Sequence, residues 1–216
     1  MKYLLTIFTI IFFISNGYTQ KKSVLDEFGS GKKRVLSSDN LTYYGMDFSL
    51  FKINNPRKVG EEDIIIEYIP DWIYEFEKEW VKSPYDSKMQ RLMKKKMSEH
   101  KVEIQNSYTL LKDKEWVTFT SNVLKPETLE SKIKSYNKHS DKGIGFVIII
   151  ETFSKPNKRV IANYTFFDVS TSEILWSLKI FGLAGDSGMT MYWARGLKSS
   201  FLHFIRYYDK VRRQND

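Results

Sequence analysis

No cysteine occurs anywhere in the 216 residues of this chain. That absence excludes disulfide staples, thiolate nucleophiles and Cys-ligated metal centres, and it predicts a protein without a lipidated signal cysteine. Histidine is nearly as scarce. His100, His139 and His203 are the three present, and their wide separation matches no ligand motif. Glycine and proline are sparse too, at 11 and 5 residues, beside 42% hydrophobic and 15% aromatic content. Such a composition builds a packed core rather than a disordered tract. Long apolar runs are also missing. The one from Tyr3 to Ile14 falls short of the roughly 20 residues that span a bilayer.

That short run is informative in itself. Met1-Lys2, the apolar segment, and then Ser15-Asn16-Gly17-Tyr18-Thr19-Gln20 have the basic start, apolar middle and small-residue exit of a secretory signal peptide. Cleavage is expected after Thr19, or alternatively after Gly17. The expected organisation is a signal peptide over 1–19, an exposed leader over 20–40 and a single α/β domain over 41–216. The expected location is periplasmic or secreted, with no transmembrane segment after processing. Acids are outnumbered, and the net charge is +8. In an exported chain this excess points to anionic glycan or lipid, or to a solvated basic surface, rather than to nucleic acid.

Hydrophobic periodicity supplies the elements. Leu41 to Ile53 reads as one strand, with Gly45 marking a bulge. Three acids, Glu61, Glu62 and Asp63, open a helix whose apolar positions are Ile65, Ile69, Trp72, Phe76 and Trp80. Pro70 predicts a kink or two abutting helices there. A second, basic helix is expected over 86–100, and short strands over 102–104 and 116–119. Lys125-Pro126 starts a helix reaching about Tyr136. Ile144 to Ile150 is an almost unbroken apolar run, the pattern of a central buried strand. Turns at 154–157 and 168–172 separate it from two more strands, 160–167 and 173–181. A final helix over 189–213 carries the stripe Ala194, Leu197, Phe201, Phe204, Ile205 and Tyr208. The expected fold is α/β (α+β). It has a mixed, mostly antiparallel sheet, a C-terminal three-strand meander and packing helices.

The segments "GIGFVIIIETF" and "RVIANYTFFDVSTSEILWS", with the helix that follows, resemble a recurring bacterial envelope fold. It is that of the amino-terminal domain of TolB, the curli-secretion lipoprotein and the lipoprotein activators of penicillin-binding proteins. Asp168, Val169, Thr171, Glu173 and Trp176 fit its hairpin pattern, with Ser172 in place of the usual glycine. The whole chain also resembles uncharacterised exported proteins of the Bacteroidetes. The resemblance implies an accessory or partner-binding role in the envelope. Membrane tethering is not carried over, since the lipidation cysteine is missing.

Motifs that could carry chemistry read as structure. Gly185-Asp186-Ser187-Gly188 copies the heart of a trypsin-type nucleophile segment, but no Ala-Ala-His stretch precedes it, so the segment reads as a loop and helix cap, with Asp186 or Ser187 near the helix start. Gly182, Gly185 and Gly188 have neither P-loop nor dinucleotide spacing. Adjacent acids at 61–63 complement a helix dipole. No catalytic, cofactor-binding or metal-ligating residue is assigned, and no cofactor is expected. The candidate contacts for a partner or an anion are Tyr192, Trp193, Arg195, Lys198 and Arg206, with Tyr43 and Tyr44 as further aromatic candidates. The expected function is that of a non-catalytic envelope accessory binding a protein. The alternatives are a binder of anionic glycan or lipid through basic helix faces, and a secreted hydrolase.

Overall fold

The structure is a computed structural model. It describes residues 23–54, 61–81, 88–99, 116–118, 123–136, 142–185 and 189–215. The elements in chain order are β1 (Val24–Phe28), α1 (Lys32–Ser37), β2 (Asn40–Asp47), β3 (Lys52–Asn54), α2 (Glu61–Trp80), α3 (Lys88–Met93), β4 (Lys96–Glu99), β5 (Val117–Thr118), α4 (Pro126–Lys134), β6 (Ile144–Ser154), β7 (Arg159–Asp168), β8 (Ile174–Leu183) and α5 (Met189–Arg213).

One eight-stranded mixed sheet runs β1-β8-β7-β6-β2-β4, with β3 joining β6 to β5. The expected meander is there: β6/β7 and β7/β8 form the two longest ladders, both antiparallel. On its other side β6 pairs in parallel with β2 and β3. Every residue of β6 is therefore buried. This explains its apolar run, because both faces of the strand are covered. Phe146, Ile148 and Ile150 join the core beneath α5. Val147 and Ile149 pack with Leu129, Ile133 and Tyr136, from α4 and the residues after it, on the opposite face.

Four expectations need correction. Residues 20–40 are not an exposed leader where they are described. β1 pairs antiparallel with β8, and Val35 of α1 is wholly buried. Glu27 fastens this segment by accepting hydrogen bonds from Lys32 at 2.5 Å, Trp176 Nε1 at 2.9 Å and Tyr207 at 2.6 Å. Such tertiary bonds leave no periodic trace in sequence. Second, 41–53 is two strands. Asp47 accepts the Ser49 amide at 2.7 Å, a local turn that breaks the run. The bulge at Gly45 is present, with φ +104 and a register shift. Tyr43 and Tyr44 alternate onto the α5 and α4 faces, and the extra residue returns Met46 to the α5 face.

Third, α2 is one helix through Pro70 rather than two abutting helices. Ile65 and Ile69 before it and Trp72 and Phe76 after it all pack into one core, which holds the helix across the missing hydrogen bond. Fourth, the basic helix stops at Met93. Lys94 takes φ +54, and residues 96–99 pair in parallel with β2. Sheet pairing has overridden helical propensity there. The expected strand at 102–104 lies outside the described residues. The starts of α4 at Pro126 and of α5 at Met189 agree with the sequence reading.

Candidate functional site

α2 and α5 lie side by side on one face of the sheet and run in the same direction. Phe153 sets the level at one end, with its ring 5.7 Å from Trp72 and 4.6 Å from Trp193. Eight residues along each helix, Trp80 lies 4.9 Å from Phe201. Phe76 meets the same ring edge-on at 5.0 Å. Between the helices is a surface groove of about 350 Å³. Trp72, Phe76, Trp80, Ala194, Leu197 and Met191 line it. Met191 is exposed.

The two walls carry opposite charge. Asp71, Glu75 and Glu79 recur every fourth residue along α2, whereas Arg195 and Lys198 stand on α5. One end of the rim is closed: Lys198 meets Glu79 at 3.2 Å, and Lys88 reaches the same carboxylate at 3.1 Å. Burial acts to raise the Glu79 pKa, but the hydrogen bonds from both lysines outweigh it and hold the group low. At the other end Asp71 and Arg195 are exposed, and neither has an ion-pair partner among the described residues. The Trp72 indole N–H is buried and has no acceptor among the described residues.

The five candidate contact residues do not form one patch. Arg195 and Lys198 line the groove. Tyr192 is half-buried, and the Lys155 ammonium lies 4.7 Å from its ring centre. Trp193 is wholly buried and is corrected from contact residue to core, because its ring stacks on Phe153. Arg206 is exposed but lies further along α5, outside the groove. Tyr43 and Tyr44 are likewise buried and are core residues.

Asp186, Ser187, Gly188, His100 and His139 lie outside the described residues, as do the side chains at 61–63. Gly182 is no part of an anion loop. A Cβ there would strike the Gly196 carbonyl and the Ser200 amide, so this glycine lets α5 approach β8. His203 places Nδ1 2.9 Å from the Phe181 carbonyl. Among the described residues no group of three or more His, Asp or Glu side chains is placed to hold a metal ion.

Sequence reasoning missed two features. One is the acidic wall, whose signal was present: Asp71, Glu75 and Glu79 each neighbour an aromatic residue of the helix stripe. The other is a polar cluster buried on the far face of the sheet. Glu151 follows Val147 and Ile149 onto this face by strand alternation, and the register shift of β6 against β7 beside it returns Phe153 to the α5-side core. Its carboxylate accepts Asn163 Nδ2 at 2.8 Å and the Leu124 amide at 3.2 Å, and pairs with Lys179 at 3.1 Å. Lys179 also donates to the Leu124 carbonyl at 3.0 Å. The ion pair thus engages both backbone groups of one residue just before α4. A lone Glu inside an apolar strand was the available signal.

The molecule is therefore a mixed-sheet α+β protein whose paired helices form a surface groove. No protein-family model matches the chain, and no curated protein matches it. Two crystal forms of a PelC dodecamer from Paraburkholderia phytofirmans show slight similarity. A point variant in space group C2 matches at 9% identity and TM-score 0.27, covering 75% of this chain and 87% of that one. A form in space group P6 matches at 8% identity and TM-score 0.26, covering 81% of this chain and 94% of that one. Similarity at this level carries no argument about fold or function.

Proposed function

We propose that this chain is an exported, non-catalytic accessory protein of the bacterial cell envelope, and that the groove between α2 and α5 docks a segment of another envelope protein. Export rests on the signal-peptide pattern of residues 1–19. The envelope role draws support from the likeness of residues 143–181 to the TolB-type domains. Among the described residues no helix is long and apolar enough to cross a membrane. The carboxylates with the clearest pKa displacements are tied into structural bonds. At Asp168, burial is outweighed by hydrogen bonds from Ser170, the Thr171 amide and Arg34, which hold the group well below the usual carboxylate range.

The observation that carries the docking proposal is an apolar floor between walls of opposite charge, with Asp71 and Arg195 left unpaired at one end. The occupant is an amphipathic segment. Large apolar side chains fill the groove, as in helix-in-groove recognition, and a Lys or Arg lies along the α2 side against Asp71 and Glu75. A photo-crosslinking residue at Met191 tests this in the producing cell. Mass spectrometry should recover an apolar peptide bearing a Lys or Arg, and Asp71→Lys should abolish the crosslink while leaving the melting temperature unchanged. Crosslinks only between copies of this chain, or equal yield from the Asp71→Lys protein, would refute the assignment.

A further inference from the structure

We infer that the corner where α3 meets β4 binds a phosphate-bearing anion. Three consecutive lysines pass through this corner and are treated differently. Lys95 is buried and donates to the carbonyls of Leu36, at 2.9 Å, and Ser38. This fixes the chain from both sides. The Lys95 amide bonds back to the Gln90 carbonyl at 3.1 Å, and the Lys96 amide bonds to the Asp39 carbonyl at 2.8 Å. Lys94, in its left-handed conformation, and Lys96 remain exposed. With Arg91 and Gln90 they line a hollow of about 360 Å³, and Asp39 is also part of its wall.

Lys94 and Lys96 have no ion-pair partner among the described residues. Like charges held around one hollow repel each other, and a bound anion relieves that repulsion. A helix C-terminus favours nearby cations, which accounts for Arg91 and Lys94. It does not account for Lys96, which belongs to the strand. Two exposed ammonium groups on one hollow suit a phosphate, each as a point charge and a hydrogen-bond donor. The site lies on a different part of the molecule from the groove and stands independently of the docking proposal.

Titration calorimetry of the exported chain with inorganic pyrophosphate tests the site. Sedimentation with phosphatidylcholine vesicles, with and without phosphatidic acid, separates the two sources of phosphate. Lys94→Glu with Lys96→Glu should weaken pyrophosphate binding by at least about tenfold, with an unchanged melting temperature. Lys125→Glu with Lys134→Glu makes the same charge change at the two ends of α4, across the sheet, and should leave binding intact. Asp39→Asn should tighten it. Binding to pyrophosphate but not to phosphatidic acid identifies a soluble phosphate, and binding to both identifies a lipid headgroup. No binding to either at about 50 mM salt, where surface charges are weakly screened, or equal loss in the two double variants, overturns the inference.

Discussion

The two faces of the central sheet are built on different principles. Toward α5 the core is apolar, with a run of packed rings set among aliphatic side chains. Phe146 stacks on Phe166 at 4.7 Å and on Phe204 at 5.4 Å, and Tyr164 lies 4.3 Å from Phe204. Toward α4 a small apolar cluster gives way to Asp47, Glu151, Asn163 and Lys179, all buried. Thr165 and Ser177 share a hydrogen bond of 2.9 Å among them. Burial of apolar surface needs no particular partner, so what this face requires is that its volume stay filled. Buried polar groups are directional, and each depends on a particular partner.

The sharpest way to break this contrast is Ile148→Asp. The residue belongs to the α5-side core and is almost fully buried, and an unpaired charge there costs several kcal/mol. The variant should fail to fold, as read by circular dichroism. A folded protein with an unchanged melting temperature would refute the burial. Phe201→Ala comes next, with an expected loss of about 3–5 kcal/mol in urea unfolding. The face toward α4 should respond differently. Lys179→Met strands the Glu151 carboxylate and should cost about 3–5 kcal/mol, whereas adding Glu151→Leu should recover most of that loss. Equal losses in the single and double variants would mean that the pair is not coupled.

Smaller effects come from the clasp at the sheet edge. Burial works to raise the Glu27 pKa, but bonds from Lys32, Tyr207 and Trp176 keep it below the ordinary carboxylate value. Asp168 is also held low. A depressed carboxylate contributes fully above its unfolded pKa of about 4, and the contribution is lost as pH falls through the folded value. Tyr207 is pushed up to about 12, by burial first and then by Glu27. Its contribution is full below the unfolded value of about 10 and is lost as pH rises toward 12. Glu27→Gln should therefore flatten both limbs of a melting-temperature profile against pH; an unaltered profile would remove the clasp. The smallest effect belongs to Lys198→Glu and Arg206→Glu. Both side chains are exposed, and each change should alter stability by less than about 0.5 kcal/mol.

Legibility in the sequence followed the range of the interaction. The meander and α5 were readable because a strand alternates or runs apolar over adjacent residues, while a helix repeats over three or four. β1 was unreadable as a strand because its place depends on pairing with β8 and on the Glu27 bonds to Trp176 and Tyr207. Likewise β4 was hidden inside a helix-like pattern, since its partner Leu41 is remote in the chain. Arg195 and Lys198 were found as candidates from helix periodicity. Trp193 was misjudged because an aromatic side chain near a helix start carries no mark of what will stack on it.

By itself, then, the chain determined the absence of disulfide chemistry, the central buried strand, the meander around it and the apolar stripe of the last helix. Each follows from composition or from contacts between near neighbours. Tertiary structure alone decided that α2 would lie beside α5, with Glu79 bonded to a lysine 119 residues away. It also decided that Glu151 would meet Lys179 on the face toward α4. Such contacts exist only after the chain has folded back on itself, and the spacing of residues along it does not encode them.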